Sequence, residues 1–312
     1  MRASCRHHAV SERANSRSTI GTSQCACVAP KTDSMVGDEW LGDLAVQLGG
    51  VDGVVSVMLG GSRARGEHTP SSDYDIGLYY LPPLDTAALR RLTRDLAGTG
   101  AQVSEPGDWG PWVDGGAWLR IDDNPVDWIF RDSDRVRTAW RQAQQGRFTF
   151  NAQTGHPLGV PDFAYAGEVA LGMVLHDPSG QLTALRQQAR NYPPALADAL
   201  VERLWEADFL LSGVRKSAQR ADSVWVAGCL FRVVLLCAHA LHGRAGRWLI
   251  NEKGAVTSAG RSSISPPDFP QRAQSILGHV GSTPSELAQT LDEADELLIA
   301  TRAACRTTSQ AL

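Results

Sequence analysis

Two aspartates separated by one residue, Asp73 and Asp75, lie in the segment DYDIGLYYL, whose apolar residues alternate with a period of two. This period predicts a β-strand, on which residues two positions apart project from the same face. The two carboxylates are therefore expected side by side. Neighbouring like charges are costly unless a cation neutralises them, and oxygen ligands suit Mg2+, so the pair predicts a magnesium site.

A glycine-rich turn precedes these aspartates. The segment VVSVML has the β-branched composition of a buried strand, and Gly60, Gly61 and Ser62 follow it at the start of a predicted short helix. Because backbone N–H groups and a hydroxyl at such a turn bind anions, we expect it to bind phosphate. It lacks the Gly-Lys-Ser/Thr of a P-loop. Arg63 and Arg65, which follow, either contact phosphate oxygens or lie on the helix surface.

A third carboxylate is expected from a neighbouring strand. Asp127, in PVDWIF, has this position, because its neighbours Val126 and Trp128 would face the opposite side of that strand. Asp122 and Asp123 are the alternatives, although their DDNP context indicates a turn.

The predicted turn and the predicted carboxylates together suit one kind of chemistry. Three carboxylates, Asp73, Asp75 and Asp127, would hold two metal ions for an in-line displacement at phosphorus. The leaving group would be pyrophosphate. In such reactions the protein mainly positions charges, so we predict catalytic and metal-binding roles for these aspartates.

The motifs GGSRARG and SSDYD, followed by the lone aspartate of VDWIF, resemble those of the DNA polymerase beta-like nucleotidyltransferase superfamily. The resemblance is closest to the bacterial branch that contains minimal, aminoglycoside and lincosamide nucleotidyltransferases. It implies that a nucleoside monophosphate, expected to be AMP from ATP, is transferred to a hydroxyl of a small-molecule acceptor. Two Mg2+ ions as cofactors and an NTP as donor are also implied.

The same resemblance implies further site residues in the second half of the chain. In larger members a Trp/Tyr-x-x-x-x-Lys segment closes over the nucleotide, and here GRWLINEKGAV would supply Lys253 for the triphosphate, with Arg247 behind it. The stretch FAYAGEVALG would supply Glu168 as a general base near the acceptor.

Two other functions stay open from the sequence. One is an antitoxin-type enzyme that adenylylates a partner protein; the members that do so consist of a minimal domain alone, so the second half of this chain counts against it. The other is a nucleotide-binding regulatory protein without catalysis, against which the intact carboxylates argue.

Composition limits the choice of partners and location. The chain of 312 residues has a formal net charge of −4, which argues against binding long nucleic acid through a broad basic surface. Nothing in its composition suggests a membrane protein. The six cysteines form no disulfide framework, which favours a reducing cytoplasm: Cys5, Cys25, Cys27, Cys229, Cys237 and Cys305.

The pattern of elements predicts an α+β fold. Residues 35–150 are expected to form the catalytic α/β domain, with a mixed sheet and flanking helices, and residues 151–312 a helical bundle. Residues 1–34, rich in Arg and Ser, are predicted to be a disordered extension, and translation beginning at Met35 instead of Met1 is an alternative.

Overall fold

The computed structural model describes residues 34–307, and the side chains of residues 40–306. The predicted extension therefore lies outside the described residues, apart from Ser34, at which the first helix begins. The strands are β1 Val54–Leu59, β2 Tyr74–Tyr80, β3 Gly116–Ile121, β4 Asn124–Asp132, β5 Phe150–Gln153, β6 His156–Pro161 and β7 Met173–His176. The helices are α1 Ser34–Gly49, α2 Gly61–Ala64, α3 Thr86–Ala97, α4 Ser133–Gln144, α5 Ala164–Leu171, α6 Gln181–Ala189, α7 Pro194–Glu202, α8 Trp205–Ala218, α9 Ser223–Arg244, α10 Ala255–Gly260, α11 Phe269–Gly278 and α12 Pro284–Thr307.

The molecule has the predicted α+β fold, with a mixed sheet, flanking helices and a helical C-terminal region. Five strands form the sheet in the order β3-β4-β2-β1-β7. Strand β2 runs parallel to β4, whereas the β1–β2, β1–β7 and β3–β4 pairs are antiparallel. A separate hairpin contains β5 and β6.

The two faces of the five-stranded sheet pack against different helices. One face is apolar: Ile76 and Leu78 of β2 and Trp128 of β4 pack in a buried cluster with Leu44 of α1 and Leu89 of α3. Since side chains alternate along a strand, the residues between them point to the opposite face. That face carries the predicted site carboxylates.

Helix α9 lies at the centre of the helical region. It packs against α7, α8, α10, α11 and α12. Within the described part of the chain it is the one helix long and apolar enough to cross a membrane, but 67% of its most apolar window is buried inside the protein. Its apolar composition on nearly every face therefore reflects burial among neighbouring helices.

Two features of the second half differ from the sequence prediction. The segment LADALVERLWEADFLLSG has the apolar pattern of one helix but forms two, α7 and α8; Leu200 of α7 packs in one buried cluster, whereas Leu204 and Leu211 pack in another. Strands also occur beyond the boundary predicted at residue 150, where only helices were expected: β6 forms a hairpin with β5, and β7 pairs with β1. The five-stranded sheet therefore contains strands from both sides of that boundary. The domain limits themselves stay a prediction.

Candidate active site

Three carboxylates meet on the face of the sheet opposite the one that packs against α1 and α3. Oxygen atoms of Asp73, Asp75 and Asp127 all lie within 4.8 Å of one another. Asp73 immediately precedes β2, Asp75 is its second residue, and Asp127 lies on β4. Asp122 and Asp123, the alternatives to Asp127, are exposed residues of the β3–β4 turn with positive φ angles of 47° and 65°. The structure thus brings together the three aspartates expected from the sequence.

Strand register explains why the carboxylates converge. Asp75 and Asp127 are direct partners in the parallel β2–β4 pair. Residues paired in this way have their side chains on the same face of a sheet. The neighbours of Asp127, Val126 and Trp128, are fully buried on the opposite face.

Burial and mutual repulsion disfavour the ionised forms of these carboxylates. Burial, reinforced by the charges of Asp73, Asp127 and Glu168, raises the pKa of Asp75 to about 6. Burial and the charge of Asp73 also raise the pKa of Asp127. A divalent cation favours the ionised form of such groups, and all of the ligand atoms are hard oxygens. The residues present therefore fit a site for Mg2+ or a similar ion.

The Gly60–Ser62 turn lies directly against this cluster. The backbone N–H of Gly60 donates a 2.7 Å hydrogen bond to the carbonyl of Asp75. Gly61 has a φ angle of 61°, and a Cβ atom there would overlap the Asp75 carboxylate. Only glycine allows both the left-handed backbone and the close approach. The turn and the carboxylates therefore form one continuous surface.

The two arginines that follow the turn have different environments. The Arg63 guanidinium donates to the carbonyl of Ser72, at 2.6 Å from Nη2, and lies 3.7 Å from the centre of the Tyr74 ring. Arg63 therefore holds the loop that leads to Asp73, and its contact with phosphate stays a prediction. Arg65 instead lines a pocket beside Asp75 and forms an ion pair with Glu67 at 2.9 Å.

This pocket, which we call the acid pocket, has a volume of about 260 Å3 and is lined by Gly61, Arg65, Asp75, Arg131 and Glu168, among others. Both carboxylate oxygens of Glu168 accept hydrogen bonds from Arg131, at 2.6 and 2.8 Å. Glu168 lies close enough to raise the pKa of Asp75. Its position fits the predicted site, but its oxygens are engaged by a buried guanidinium.

A second cavity of about 650 Å3 adjoins the acid pocket, with which it shares Arg65, Leu171, Ile250 and Asn251. Its walls carry one acidic side chain, Glu67, and six basic ones: Arg65, Arg186, Arg190, Arg247, Lys253 and Arg261. We call it the basic chamber. The pKa of Glu67 is lowered, mainly by its hydrogen bond with Arg65. The positive charges of Arg65, Arg261 and Arg247 lower it further.

The segment that carries Lys253 is fastened at two points. Trp248 donates from its indole to the carbonyl of Ala189 at 2.9 Å. Glu252 accepts from the backbone of Leu158 at 3.1 Å and contacts His156 at 3.0 Å. Lys253, the residue after Glu252, lines the basic chamber.

Three basic residues of this chamber were missed from the sequence. Arg186 and Arg190 are four residues apart at the end of α6, and Arg261 follows α10. The spacing of Arg186 and Arg190 places both on one side of a helix, and this is the one local pattern in the sequence that could have indicated a basic site. Nothing in the sequence indicates that α6 lies beside Lys253.

Residues 45–103 match the family model of the nucleotidyltransferase domain. The matched segment carries β1, the Gly60–Ser62 turn, Asp73, Asp75 and α3, whereas Asp127 lies outside it. This domain supports nucleotidyl transfer as the general activity and is typical of transferases that use a divalent metal.

One solved structure similar to this chain is that of a nucleotidyltransferase-like protein from Exiguobacterium sibiricum 255-15. The alignment covers 87% of this chain and 78% of that protein, with 12% sequence identity and a TM-score of 0.44. No curated protein sequence matches the chain.

Proposed function

We propose that this protein is a Mg2+-dependent nucleotidyltransferase that moves AMP from ATP to a hydroxyl group of a small molecule. The observation that carries the proposal is the cluster of Asp73, Asp75 and Asp127, which lies against the Gly60–Ser62 turn. Two of these aspartates and the turn fall within the matched domain.

The basic chamber supports an NTP as the donor. A triphosphate carries several negative charges, and a cavity walled by basic side chains raises the local concentration of such an anion. Lys253 and Arg247 line this chamber, and Arg65 lines both the chamber and the acid pocket. The β- and γ-phosphates would lie in the chamber, with the α-phosphate beside the carboxylates.

The reaction is a displacement at the α-phosphorus. The acceptor hydroxyl oxygen forms a bond to this phosphorus while the bond to the α,β-bridging oxygen breaks. The hydroxyl proton leaves to a basic group or water, and pyrophosphate is released. Mg2+ held by Asp73, Asp75 and Asp127 would supply activation of the attacking oxygen and neutralisation of phosphate charge. The chain itself positions the phosphates through Gly61, Arg65 and the basic chamber.

The test is a transfer assay with each of the four labelled NTPs, Mg2+ and a pool of hydroxyl-bearing compounds, read by mass spectrometry. A product heavier than its acceptor by one nucleotide, formed by the wild type but not by Asp73→Ala or Asp75→Ala, is expected. Wild-type rates in either variant would contradict the proposal. A nucleotide-sized gain on a protein rather than on a small molecule would indicate a protein acceptor.

A further inference from the structure

A large aromatic side chain lies exposed beside the carboxylate cluster. Trp118, on β3, is 68% exposed, while its neighbours Ala117 and Leu119 are buried. It is the direct partner of Asp127 in the β3–β4 pair, and Asp127 is the partner of Asp75. Since paired residues share a face, these side chains form a continuous row across three strands.

Trp118 is one half of a stacked pair. Its ring centre lies 4.2 Å from that of Trp109, with 13° between the ring planes. Gly116 makes room for this arrangement, because a Cβ atom there would lie 3.1 Å from Cζ3 of Trp109 and would overlap the carbonyl of Trp128. We call the two stacked indoles the tryptophan platform.

The loop that carries Trp109 is held by the rest of the fold. Gln153 of β5 donates to the carbonyl of Trp109 at 2.6 Å and accepts from the backbone of Trp112 at 3.0 Å. Tyr165 of α5 donates to the carbonyl of Trp112 at 2.7 Å. The platform is therefore fixed before a ligand arrives, and little ordering entropy is lost on binding.

The platform and the basic chamber lie on opposite sides of the carboxylates. The platform is on β3, at one edge of the sheet, whereas the chamber is walled by Leu171 at the end of α5, close to β7 at the other edge. In phosphoryl transfer the attacking and leaving oxygens lie roughly in line. With pyrophosphate leaving toward the chamber, the acceptor approaches from the side of the platform.

We propose that the tryptophan platform binds the acceptor by stacking against the flat face of a ring, so that the substrate class is a hydroxyl compound with a sugar, cyclitol or aromatic ring. This inference rests on the proposed function and adds the acceptor class to it. An exposed indole face binds flat, partly apolar surfaces well. The ring stacks on Trp118 while its hydroxyl reaches the phosphorus between Asp75 and Asp127.

The test uses the full chain, labelled ATP, Mg2+ and two sets of acceptors. The ring set contains methyl glucoside, myo-inositol, kanamycin and tyramine, and the acyclic set contains glycerol, serine and ethanolamine. Trp118→Ala is expected to lower kcat/KM for a ring acceptor about 10-fold, through a raised acceptor KM, and to leave the KM for ATP unchanged. Trp118→Phe, which keeps an aromatic face, should recover most of the loss.

Trp225→Ala is the matched control, because Trp225 is 56% exposed on α9. It should leave all kinetic constants unchanged. Two results would overturn acceptor binding by the platform and leave the proposed function standing. One is transfer by the wild type to acyclic acceptors alone, and the other is a Trp118→Ala defect confined to the KM for ATP. An equal loss for both acceptor sets would also overturn it. Absence of any Mg2+-dependent transfer by the wild type would overturn the proposed function and the platform with it.

Discussion

Arg131 of β4 and Glu168 of α5 form a two-point ion pair at the acid pocket, with N–O distances of 2.6 and 2.8 Å. The Arg131 side chain is 9% exposed, and its guanidinium also donates to the carbonyl of Val113 at 3.2 Å. The charge of Glu168 helps to keep the pKa of Arg131 above its ordinary value. Glu168 therefore compensates a buried cation beside the carboxylate cluster, a role that the sequence does not indicate.

Removing Glu168 is expected to destabilise the fold. Glu168→Ala would leave the buried Arg131 charge without its partner, which typically costs about 3 kcal/mol of unfolding free energy; Glu168→Gln should cost less, because its amide oxygen still accepts one hydrogen bond. Urea denaturation measures both. Glu296→Ala, which removes an exposed partner of Arg272, is the control and should change stability little. If Glu168→Gln were fully stable but lost transfer, a general-base role would be supported instead.

Gly61 and Gly66 offer a matched pair of substitutions. Both have positive φ angles, 61° and 69°, but a Cβ at Gly61 would overlap Asp75, whereas a Cβ at Gly66 has nothing within 4 Å. Each alanine costs about 1 kcal/mol of backbone strain. Gly61→Ala should in addition lower kcat by about 100-fold, because displacement of Asp75 misplaces the reacting groups. Similar transfer rates for the two variants would show that the turn does not act through Asp75.

The proximity of Asp127 to Asp73 and Asp75 was predictable, because alternation along a strand and the turn signal before β4 are local properties of the sequence. Strand β7 was not predictable in the same way. Its four residues gain their strand conformation from pairing with β1, more than 100 residues earlier. The basic chamber depends likewise on contacts between α6 and the segment around Lys253, which local patterns do not record.

The stability of the metal-free protein is expected to depend on Asp75. Its pKa in the folded state is raised to about 6 from 3.8, so the folded protein binds more protons than the unfolded chain between these values. The contribution of Asp75 to the free energy of unfolding is therefore fully present below about pH 4 and is lost as the pH rises to about 6. Thermal unfolding in EDTA, compared between wild type and Asp75→Asn, isolates the effect, and the variant should be the more stable at pH 7.

Addition of Mg2+ tests whether Asp75 binds a cation when it is ionised. At pH 7, Mg2+ should raise the unfolding free energy of the wild type, because the cation binds only the folded state and so shifts the folding equilibrium toward it. Below pH 6 a proton on Asp75 competes with the cation, so Mg2+ affinity measured by calorimetry should fall with pH. Equal Mg2+ affinity at pH 5 and pH 7.5, or equal affinity in Asp75→Asn, would place the ion elsewhere.

The basic chamber makes a prediction about the donor. Arg247→Ala and Lys253→Ala each remove a cation that lines this cavity, and each should raise the KM for NTP about 10-fold with a smaller effect on the acceptor KM. Lys216→Ala on the exposed surface of α8 is the control for a lost positive charge. The differences should shrink at high salt, because mobile ions screen the triphosphate. A raised acceptor KM with an unchanged KM for NTP would instead assign the chamber to an anionic acceptor.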